Sequence, residues 1–273
     1  MAMTVRIVYL LSMRAKGNGF SNREWKLIGM LKVDRQLKKT SKSSLEVQLG
    51  NSPKRKNGLS ERGKMAREAI LQAAERIFAE DGINASLRKV MAEADVNVGA
   101  INYHFGTRED LLREMLERRV SIIVGERLTL LAEAESLNNP AELRDIVAAL
   151  LTPTFRPDRW NDEGWRNYFK VQAHLRSQPS QKNYPISANL FAKQHQLFVE
   201  AIGRTLPDLG KTELFWRYYC LMSAMNQSVT NPYRIRELSG GRCDTRDSAA
   251  MMKAMIPALV GMLSAPPTMP VDD

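Results

Sequence analysis

Residues 97–112 read NVGAINYHFGTREDLL, a stretch that begins as a very short helix and continues into a second one. Asn97 can cap the first helix, which reaches about Phe105. Thr107, followed by Asp110 three residues later, predicts a capping box at the start of the next helix. A helix of this length, with glycine, asparagine, tyrosine and histidine along it, is marginal by itself and needs a binding partner or a tertiary contact.

The residues before this stretch predict two further helices. Apolar residues recur at helical spacing over residues 70–78, and Gly82 has the form of a left-handed helix stop. Ser86 can cap a second short helix whose apolar positions share one face, and a tight connection at Asp95 and Val96 follows it. Three short helices closed by a fourth have the lengths and the turn of a helix-turn-helix domain.

Helical periodicity orients the side chains of the third helix of this domain, the one that begins at Asn97. With Ile101 facing the core, Gly99 and Tyr103 point the opposite way at about 100° per residue. Ala100 and Asn102 then lie on the flanks. A glycine facing outward costs about 1 kcal/mol of helix stability relative to alanine, which suits a place where another backbone comes close. The outward face can contact bases or phosphates, or it can merely cover the surface of a small helical bundle.

The sequence SLRKVMAEADVNVGAINYHFGTREDLL at residues 86–112 resembles the tetracycline-repressor (TetR) family of bacterial transcriptional regulators. The resemblance starts with REAILQAAERIFAEDG at residues 67–82 and covers residues 64–120, where many positions match in order and without gaps. It implies an all-α chain. A three-helix helix-turn-helix DNA-binding domain over residues 61–120 would precede a helical ligand-binding and dimerisation domain over residues 121–265.

The resemblance also implies which residues face the DNA. The major groove would be contacted by Asn97, Val98, Ala100 and Tyr103. The phosphate backbone would lie near Asn102, His104 and Arg108. Ser86 would cap the second helix and offer its amide or hydroxyl to a phosphate, and Gly99 fills the glycine position of the family pattern.

Two positions depart from the family pattern. Asn97 stands where serine or threonine is common, and Asn102 stands where tyrosine is common. The third helix carries no Arg or Lys, so bidentate readout of guanine from it is not expected. Val98 and Ala100 leave methyl contacts to thymine, which would make specificity depend on dimer spacing and DNA shape. No nucleophile or carboxylate stands in a matching constellation beside His104, so no catalytic residue is predicted.

Positive charge is concentrated at the N-terminal end. Residues 1–63 hold 14 of the 40 Lys and Arg and 4 of the 30 Asp and Glu, which leaves 26 of each kind for residues 64–273. Residues 1–60 have no sustained period and are rich in Lys, Ser, Asn and Gly, so we expect a basic, disordered extension. It is either a solvated tail, an arm that binds nucleic acid, or sequence upstream of a mis-assigned start.

Composition excludes several classes of protein. The apolar run nearest the start, residues 7–11, is too short to span a bilayer, and no secretory signal is present. Cys220 and Cys243 have neither metal-ligand nor disulfide-framework spacing. We therefore expect a reduced, cytoplasmic protein with no metal, no cofactor and no membrane partner.

Residues 121–265 read as helical throughout, and residues 266–273 as a flexible tail. Helices are predicted at residues 121–136, 141–151, 162–177, 186–206 and 211–230, and from a cap at Asp244 to residue 263, with loops at 153–161 and 178–185. The resemblance implies that the two long helices, 186–206 and 211–230, form a four-helix interface with their copies. Suitable positions are the stripe on the first helix and Leu214, Tyr218, Leu221, Met222 and Met225. Alternatively, both are ordinary core helices of one protomer.

Aromatic and methionine side chains are plentiful in this second half and can line a pocket for an apolar effector. The candidate lining residues are Trp165, Tyr168, Phe169, Gln172, His174, Met222, Met225 and Asn226. Core packing explains them equally well. Residues 102–106 are similar to the corresponding segment of fatty-acid-responsive members of the family.

The sequence predicts a ligand-responsive transcriptional regulator. It would act as a repressor, bind a palindromic double-stranded DNA operator as a homodimer, and be released by a small hydrophobic effector. Its two recognition helices, about 34–36 Å apart, would enter successive major grooves. The alternative is a helical small-molecule-binding or enzymatic protein whose N-terminal bundle no longer binds DNA. The salt dependence of DNA binding distinguishes the two.

Overall fold

The computed structural model describes residues 60–97, 99–177 and 184–270. The predicted basic extension lies outside the described residues up to residue 59, as do Val98, most of the predicted loop 178–185 and residues 271–273. The chain from Gly63 onward forms one unit. The described residues form helices and no strand, which confirms the all-α prediction.

Four helices build the N-terminal part, and their ends follow the sequence signals. They are α1 (Glu61–Asp81), α2 (Leu87–Glu93), α3 (Ala100–His104) and α4 (Arg108–Leu137). Gly82 ends α1 with a φ of 85°, the left-handed stop that was expected. Ser86 caps α2, because its Oγ accepts a hydrogen bond from the N–H of Arg88 at 3.3 Å. Thr107 caps α4 in the same way, with the N–H of Asp110 at 3.0 Å.

The start of α3 differs from the prediction. Gly99 is its N-cap and no side chain caps it, so Asn97 does not have the capping role. Asn97 instead accepts a hydrogen bond through its backbone carbonyl from the N–H of Ala100 at 2.9 Å, which closes a turn ahead of the helix. The tight connection is confirmed, since Asp95 has a φ of 52°. Ile101, only 2% exposed, fastens this short helix to the core.

The N-terminal bundle, defined as α1 to α3 with the first half of α4, has one apolar core. The core residues come from all four helices and include Ile70, Phe78, Val90, Ile101, Leu111, Leu112, Met115 and Leu116. The four α4 residues among them, at positions 111, 112, 115 and 116, are all buried. Burial of such side chains is worth about 1.5–3 kcal/mol each, which explains why two very short helices are stable here.

α4 runs unbroken through the predicted domain boundary at residue 120. Its 30 residues span about 45 Å at 1.5 Å per residue. Leu111 and Leu116 lie in the core of the N-terminal bundle, whereas Ile123 and Leu131 are buried further along the helix. The two halves of the protein therefore share one helix.

The second half of α4 and seven more helices form the C-terminal bundle. These are α5 (Leu143–Leu151), α6 (Pro157–Asn161), α7 (Glu163–Ser177), α8 (Tyr184–Thr205), α9 (Lys211–Thr230), α10 (Pro232–Leu238) and α11 (Ser248–Leu263). α5 packs against α4, α8 and α11, so it lies at the centre. All residues from 146 to 151 are buried, as expected of a helix that is apolar on every side.

Three local predictions in this bundle were wrong. α6 replaces part of the predicted loop 153–161, and α10 follows α9 where no helix was expected. Both begin at a proline, Pro157 or Pro232, which breaks a preceding helix but fits the first turn of a new one. The cap of α11 is Asp247, whose carboxylate accepts from the N–H of Ala250 at 3.0 Å. Asp244 is instead bound to the backbone and side chain of Arg246.

The apolar stripes expected at a dimer interface are buried inside the protomer. Leu214, Tyr218, Leu221 and Met225 are at most 7% exposed, and Met222 is half-buried. On α8 the exposed positions are mostly polar, namely Asn189, Ala192, Lys193, Gln196, Glu200 and Arg204. The proposed pairing of α8 and α9 through these residues is therefore wrong. Helical periodicity identified apolar faces, but it could not tell a face that meets its own chain from one that meets another.

The predicted flexible tail, residues 266–273, is tied down at its start. The carboxylate of Glu213 accepts hydrogen bonds from the N–H groups of Thr268 and Met269, both at 3.0 Å. Arg217 pairs with Glu213 and donates to the backbone carbonyl of Pro266 at 2.9 Å. Burial raises the pKa of the Glu213 carboxyl, but these hydrogen bonds outweigh it and lower the pKa to about 2.

Candidate nucleic-acid interface and cavity

α3 has two opposite faces with different characters. Tyr103 is 71% exposed, whereas Ile101 on the other side is buried. The Tyr103 ring meets the His104 ring edge to face, with 4.9 Å between centroids. The Tyr103 side chain is thus exposed to solvent, whereas the opposite side of the same helix is anchored in the core by Ile101.

The residues predicted at the DNA divide into two groups by exposure. The exposed ones are Ser86, Asn97, Gly99, Asn102 and Tyr103. The partly buried ones are Ala100, His104 and Arg108, and Val98 lies outside the described residues. A Cβ atom added at Gly99 would meet nothing within 4 Å, so no contact within the protomer requires glycine there. The space in front of Gly99 is open to an external backbone.

His104 lies between the exposed face and the core. Its Nδ1 is buried without a hydrogen-bond partner among the described residues. Burial lowers the pKa of His104, and the nearby positive charge of Arg67 lowers it further. Arg67 forms an ion pair with Glu114 and lies 4.7 Å from the centroid of the Phe105 ring. Both effects favour the uncharged imidazole in the free protein.

Arg108 is bound within the protein. Its Nη1 donates to the backbone carbonyls of Ile83 at 3.1 Å and Ala85 at 2.6 Å. Its guanidinium carbon lies 6.0 Å from the centroid of the Phe78 ring. These contacts fix the start of α4 to the connection between α1 and α2. A phosphate contact by Arg108 has to use nitrogen atoms other than Nη1.

Arg88 is a basic residue that the sequence analysis did not single out. It is exposed in the first turn of α2, beside the Ser86 cap, and has no ion pair within the described ranges. Its neighbour Lys89 is paired with Asp81. The signal was available, because a basic residue just after a helix cap lies near the end of a helix that carries partial positive charge and suits a phosphate.

A cavity of about 1270 Å³ opens in the C-terminal bundle. Its walls come from α4, α7, α8 and α9. The predicted pocket residues along it are Tyr168, Phe169, Gln172, His174, Met222, Met225 and Asn226. Aromatic residues on the exposed side of α9, namely Phe215, Trp216 and Tyr219, also border it. The cavity is larger than the roughly 300–1,000 Å³ that is typical of small-molecule sites, and its walls are mainly apolar.

Trp165 is the exception among the predicted pocket residues, because it does not line the cavity. Its ring lies between two guanidinium groups, with Arg119 at 5.0 Å and Arg159 at 4.2 Å from its centroid. Arg119 also forms an ion pair with Glu75 of α1 at 3.3 Å. Trp165 therefore belongs to the junction between the two bundles. Its place in a cluster of aromatic residues on α7 did not distinguish these two roles.

Arg127 is a cavity residue that the sequence analysis missed. It is 2% exposed and donates to the carbonyl of Leu150 at 2.7 Å, to Gln194 Oε1 at 3.0 Å and to Thr154 Oγ1 at 2.8 Å. Burial lowers the pKa of Arg127 to about 10, so it keeps its charge at neutral pH. The signal was its spacing, because the residues four before and four after it, Ile123 and Leu131, are both apolar and buried.

Three other titratable groups of the cavity, His195, Tyr168 and Tyr218, are uncharged at neutral pH. His195 Nδ1 lies 2.8 Å from the hydroxyl oxygen of Tyr218. Burial lowers the pKa of His195 to about 4, with a further contribution from Arg127. Burial raises the pKa of Tyr168 to about 12 and also raises that of Tyr218. Arginine is therefore the only charged residue type on the described cavity wall.

His174 connects the cavity to the N-terminal bundle. Its ring borders the cavity, and its Nε2 lies 3.3 Å from the backbone carbonyl of Ala79 in α1. The same ring packs on Gly82, where an added Cβ would lie 3.7 Å from Nδ1. A change at the cavity wall can thus be felt at the end of α1, one turn of chain before the helix-turn-helix.

The described residues contain neither a membrane-spanning helix nor a metal-binding cluster. No helix in these ranges is long and apolar enough to cross a membrane. No group of three or more His, Cys, Asp or Glu residues there has an arrangement that could hold a metal ion.

Known proteins resemble both halves of the chain. The family model for bacterial regulatory proteins of the tetR family matches residues 70–115. A second model, for the C-terminal domain of tetracyclin repressor-like proteins, matches residues 148–262. Together these two regions include α2, α3, three of the four cavity helices (α7, α8 and α9) and all but the last residue of α11.

Curated relatives match over shorter stretches. The HTH-type transcriptional dual regulator CecR of Shigella flexneri is 42% identical over 50 residues, which is 18% of this chain and 22% of that protein. The HTH-type transcriptional repressor BepR of Brucella suis biovar 1 is 38% identical over 87 residues, or 31% of this chain and 41% of BepR. The matches thus span less than half of each relative.

One solved structure has the same fold over most of its length. The fatty acid degradation regulator FadR from Bacillus halodurans superimposes with a TM-score of 0.55 at 17% identity, covering 75% of this chain and 97% of FadR. Three observations agree on the family. They are the two matched family models, the regulator relatives, and a fold in which a helix-turn-helix is followed by a helical bundle. The chain belongs to the TetR family of bacterial transcriptional regulators.

Proposed function

We propose that the protein is a repressor that binds an operator through α3 and leaves it when a small molecule occupies the cavity. The observation that carries this proposal is the continuity of α4. Leu111 and Leu116 on this helix belong to the core beneath α3, and Ile123 and Arg127 on the same helix border the cavity. A ligand that displaces one end of a rigid helix also displaces the other.

The DNA contacts in this proposal combine direct reading with backbone anchoring. Tyr103 and Asn102 reach the bases or the sugar edges, because both are exposed on α3. Ser86 and Arg88 bind phosphates at the start of α2, and Arg108 adds a contact through its free nitrogen atoms. Because α3 has no Arg or Lys, sequence discrimination depends mainly on methyl contacts and DNA shape.

Two helices carry the exposed apolar faces that suit a homodimer interface. On α9, Phe215, Trp216 and Tyr219 are between 58% and 65% exposed. On α11 the exposed residues are small and, apart from one lysine, uncharged: Ala249, Ala250, Lys253, Ala254, Pro257, Ala258 and Gly261. α9 and α11 pack against each other in the protomer, so these faces adjoin. A dimer formed through them buries the aromatic side chains and closes the open side of the cavity.

A pair of matched substitutions tests this interface. Ala254→Arg places a charge on the exposed face of α11, and Ala192→Arg places the same charge on the exposed face of α8. We expect sedimentation equilibrium to give a monomer for the first variant and a dimer for the second. The reverse result would return the interface to α8, and a monomeric parent protein would remove the dimer from the proposal.

Release by the effector follows from linkage. An effector can only shift the equilibrium if it binds the DNA-incompetent arrangement better than the competent one. Two contacts are available to carry the shift, the hydrogen bond of His174 to Ala79 and the ion pair of Arg119 with Glu75. The first joins α7 of the C-terminal bundle directly to α1, and the second joins α1 to Arg119, whose guanidinium lies 5.0 Å from the ring centroid of Trp165 on α7.

The decisive experiment is a mobility shift with the DNA upstream of the protein's own gene at two salt concentrations. We expect a specific complex whose log affinity falls with log salt, because phosphate contacts release counterions. Tyr103→Ala should weaken it by about tenfold or more. Tyr233→Ala is the matched control, since that tyrosine is also 71% exposed but lies on α10. A truncated protein that starts at Gly58 tests whether the basic extension contributes.

Absence of a shift on every upstream fragment would reject DNA binding. The remaining interpretation would then be a helical small-molecule-binding protein whose N-terminal bundle no longer contacts DNA. Equal losses in Tyr103→Ala and Tyr233→Ala would leave DNA binding in place but remove α3 as its reader.

A further inference from the structure

Arg127 is a buried positive charge, and no acidic residue of the described part of the chain forms an ion pair with it. Four contacts surround its guanidinium, the carbonyl of Leu150, the amide of Gln194, the hydroxyl of Thr154 and the sulfur of Met225 at 3.1 Å, and all four are neutral. Besides burial, the groups that act on its pKa are Tyr168 and Tyr218, which raise it only when they ionise, and two other arginines, Arg159 and Arg176, which repel its charge. These neutral contacts use four of the five guanidinium N–H groups, so one N–H of Nη1 has no partner among the described residues, and they do not neutralise the charge.

The cavity beside Arg127 has the same one-sided charge. The described wall contains Arg127 and Arg176 and no Asp or Glu. Arg176 is exposed and Arg127 is buried, so positive charge is present both at the solvent side and at depth. A concave apolar site lined by one sign of charge attracts the opposite sign and disfavours its own.

Two buried amides in this region have unused polar atoms. Gln194, 1% exposed, uses Oε1 to accept from Arg127, and its Nε2 has no hydrogen-bond partner among the described residues. Gln172, also 1% exposed and on the cavity wall, has an unpartnered Oε1. Buried polar atoms are usually hydrogen-bonded, so each of these two atoms is available to a polar group of a ligand. The Nε2 of Gln194 is a donor next to the guanidinium and suits the second oxygen of an anion.

We propose that the cavity binds a carboxylate with an apolar body, with the carboxylate at Arg127 and Gln194 and the body against the aromatic and methionine walls. The inference rests on the cavity being the effector site, and it specifies the chemical class of the effector. A cationic amphiphile would gain from the aromatic rings but would meet two arginines at the wall and no carboxylate. A neutral amphiphile would leave the charge of Arg127 buried and unpaired.

Arg127 could also serve only to tie α4 to α5, α8 and α9. That structural role predicts that its replacement weakens all ligands equally, because the cavity would loosen as a whole. A recognition role predicts that the preference for a negative head over a neutral one is lost. The ratio of two affinities therefore distinguishes these roles, whereas a single affinity does not.

The test is calorimetric titration of the full-length protein at pH 7, without DNA, with decanoate, 1-decanol and decylammonium below their micellar concentrations. We expect decanoate to bind at least about tenfold more tightly than decanol, since a charge-assisted hydrogen bond at a buried site is worth about 1.5–3 kcal/mol. Decylammonium should bind most weakly. The pair 2-naphthoate and 2-naphthol, run alongside, separates an alkyl from an aromatic body. Equal binding of acid and alcohol in both pairs would overturn the proposal.

Two variants locate the carboxylate. Gln194→Glu is nearly isosteric and supplies Arg127 with a permanent negative partner, so the preference for decanoate over decanol should fall to about one. Arg176→Gln removes the exposed arginine and should keep most of the preference. Arg127→Lys, which keeps the charge, should retain a preference that Arg127→Met loses. If Gln194→Glu leaves the preference unchanged while Arg176→Gln abolishes it, the buried site is excluded.

The outcome is independent of the repressor proposal. A protein that prefers decanoate but gives no mobility shift would keep the carboxylate site and lose the DNA-binding function. A protein that binds operator but shows no preference between head groups would keep the repressor function and lose this site.

Discussion

α3 and α9 use their side chains in contrasting ways. α3 has one buried anchor, Ile101, and one exposed group, Tyr103, so direction from the helix axis separates stability from function. α9 divides similar apolar residues among three tasks. Leu221 is fully buried in the core, Met222 borders the cavity, and Trp216 is 58% exposed. On the first helix the residue type indicates the role, and on the second only the position in the fold does.

The largest effect is expected on the buried side of α3. Ile101→Ala removes the apolar side chain that fastens this helix and should lower the free energy of unfolding by about 3 kcal/mol. Tyr103→Ala should change it by less than about 0.5 kcal/mol, because exposed side chains contribute little. Urea unfolding monitored by circular dichroism measures both. If the two variants lost similar stability, the separation of roles on α3 would fail.

The next largest effect is expected on dimer formation, from a substitution on the exposed side of α9. Trp216→Ala should weaken the proposed dimer by about 2 kcal/mol, or roughly thirtyfold in its dissociation constant, as expected of an aromatic residue at an interface. The control is again Tyr233→Ala, which should leave association unchanged. Sedimentation over a range of protein concentrations gives the constants. An unchanged constant in Trp216→Ala would assign this residue to the cavity alone.

The pH dependence of stability tests how deeply the cavity residue His195 is buried. Burial lowers the pKa of His195 to about 4 from an ordinary 6.5, so the unfolded chain takes up a proton at higher pH than the folded one. The resulting stability is fully present above pH 6.5 and is lost as the pH falls towards 4. The full shift corresponds to about 3 kcal/mol, and because His195 is only partly buried and solvent screens it, we expect a loss of about 1–2 kcal/mol from this group. His195→Gln should flatten the stability profile between these pH values, and an unaltered profile would contradict the burial effect.

The smallest effects concern two caps within the N-terminal bundle. Thr107 accepts from the N–H of Asp110 and donates to its carboxylate at 2.6 Å, which lowers the pKa of Asp110. Thr107→Ala should therefore cost about 1 kcal/mol of stability. Ser86 makes one longer hydrogen bond, and Ser86→Ala should cost about 0.5 kcal/mol. Thermal unfolding compares them. A larger loss at Ser86 would reverse the ranking of the two caps.

The N-terminal bundle was largely predictable because its signals are local. Caps at Ser86 and Thr107 and the stop at Gly82 depend on a few neighbouring residues, and the structure has all three. Only the predicted cap of α3 was wrong. The turn at Asn97 uses its backbone carbonyl, and a sequence does not reveal whether a side chain or a main chain makes the bond.

The C-terminal bundle was predictable in outline and not in its site. The helix Lys211–Thr230 has the bounds that were expected, but the role of each apolar residue on it depends on which helices pack nearby. Trp165 was placed in the pocket and lies between two arginines, whereas Arg127 was overlooked and lies on the cavity wall. The informative feature in the sequence was Arg127 itself, a charged residue at a position where the helical repeat places apolar, buried residues.

The unbroken α4 also restricts how this protein can be recombined with its relatives. A chimaera joined near residue 120 splices inside one helix, between Leu116 and Ile123, and has to preserve its helical phase. Each inserted residue would rotate one bundle against the other by about 100° and separate them by about 1.5 Å. Insertions of seven residues restore the rotation to within about 20°, so they are the lengths at which exchanged halves can still face each other correctly.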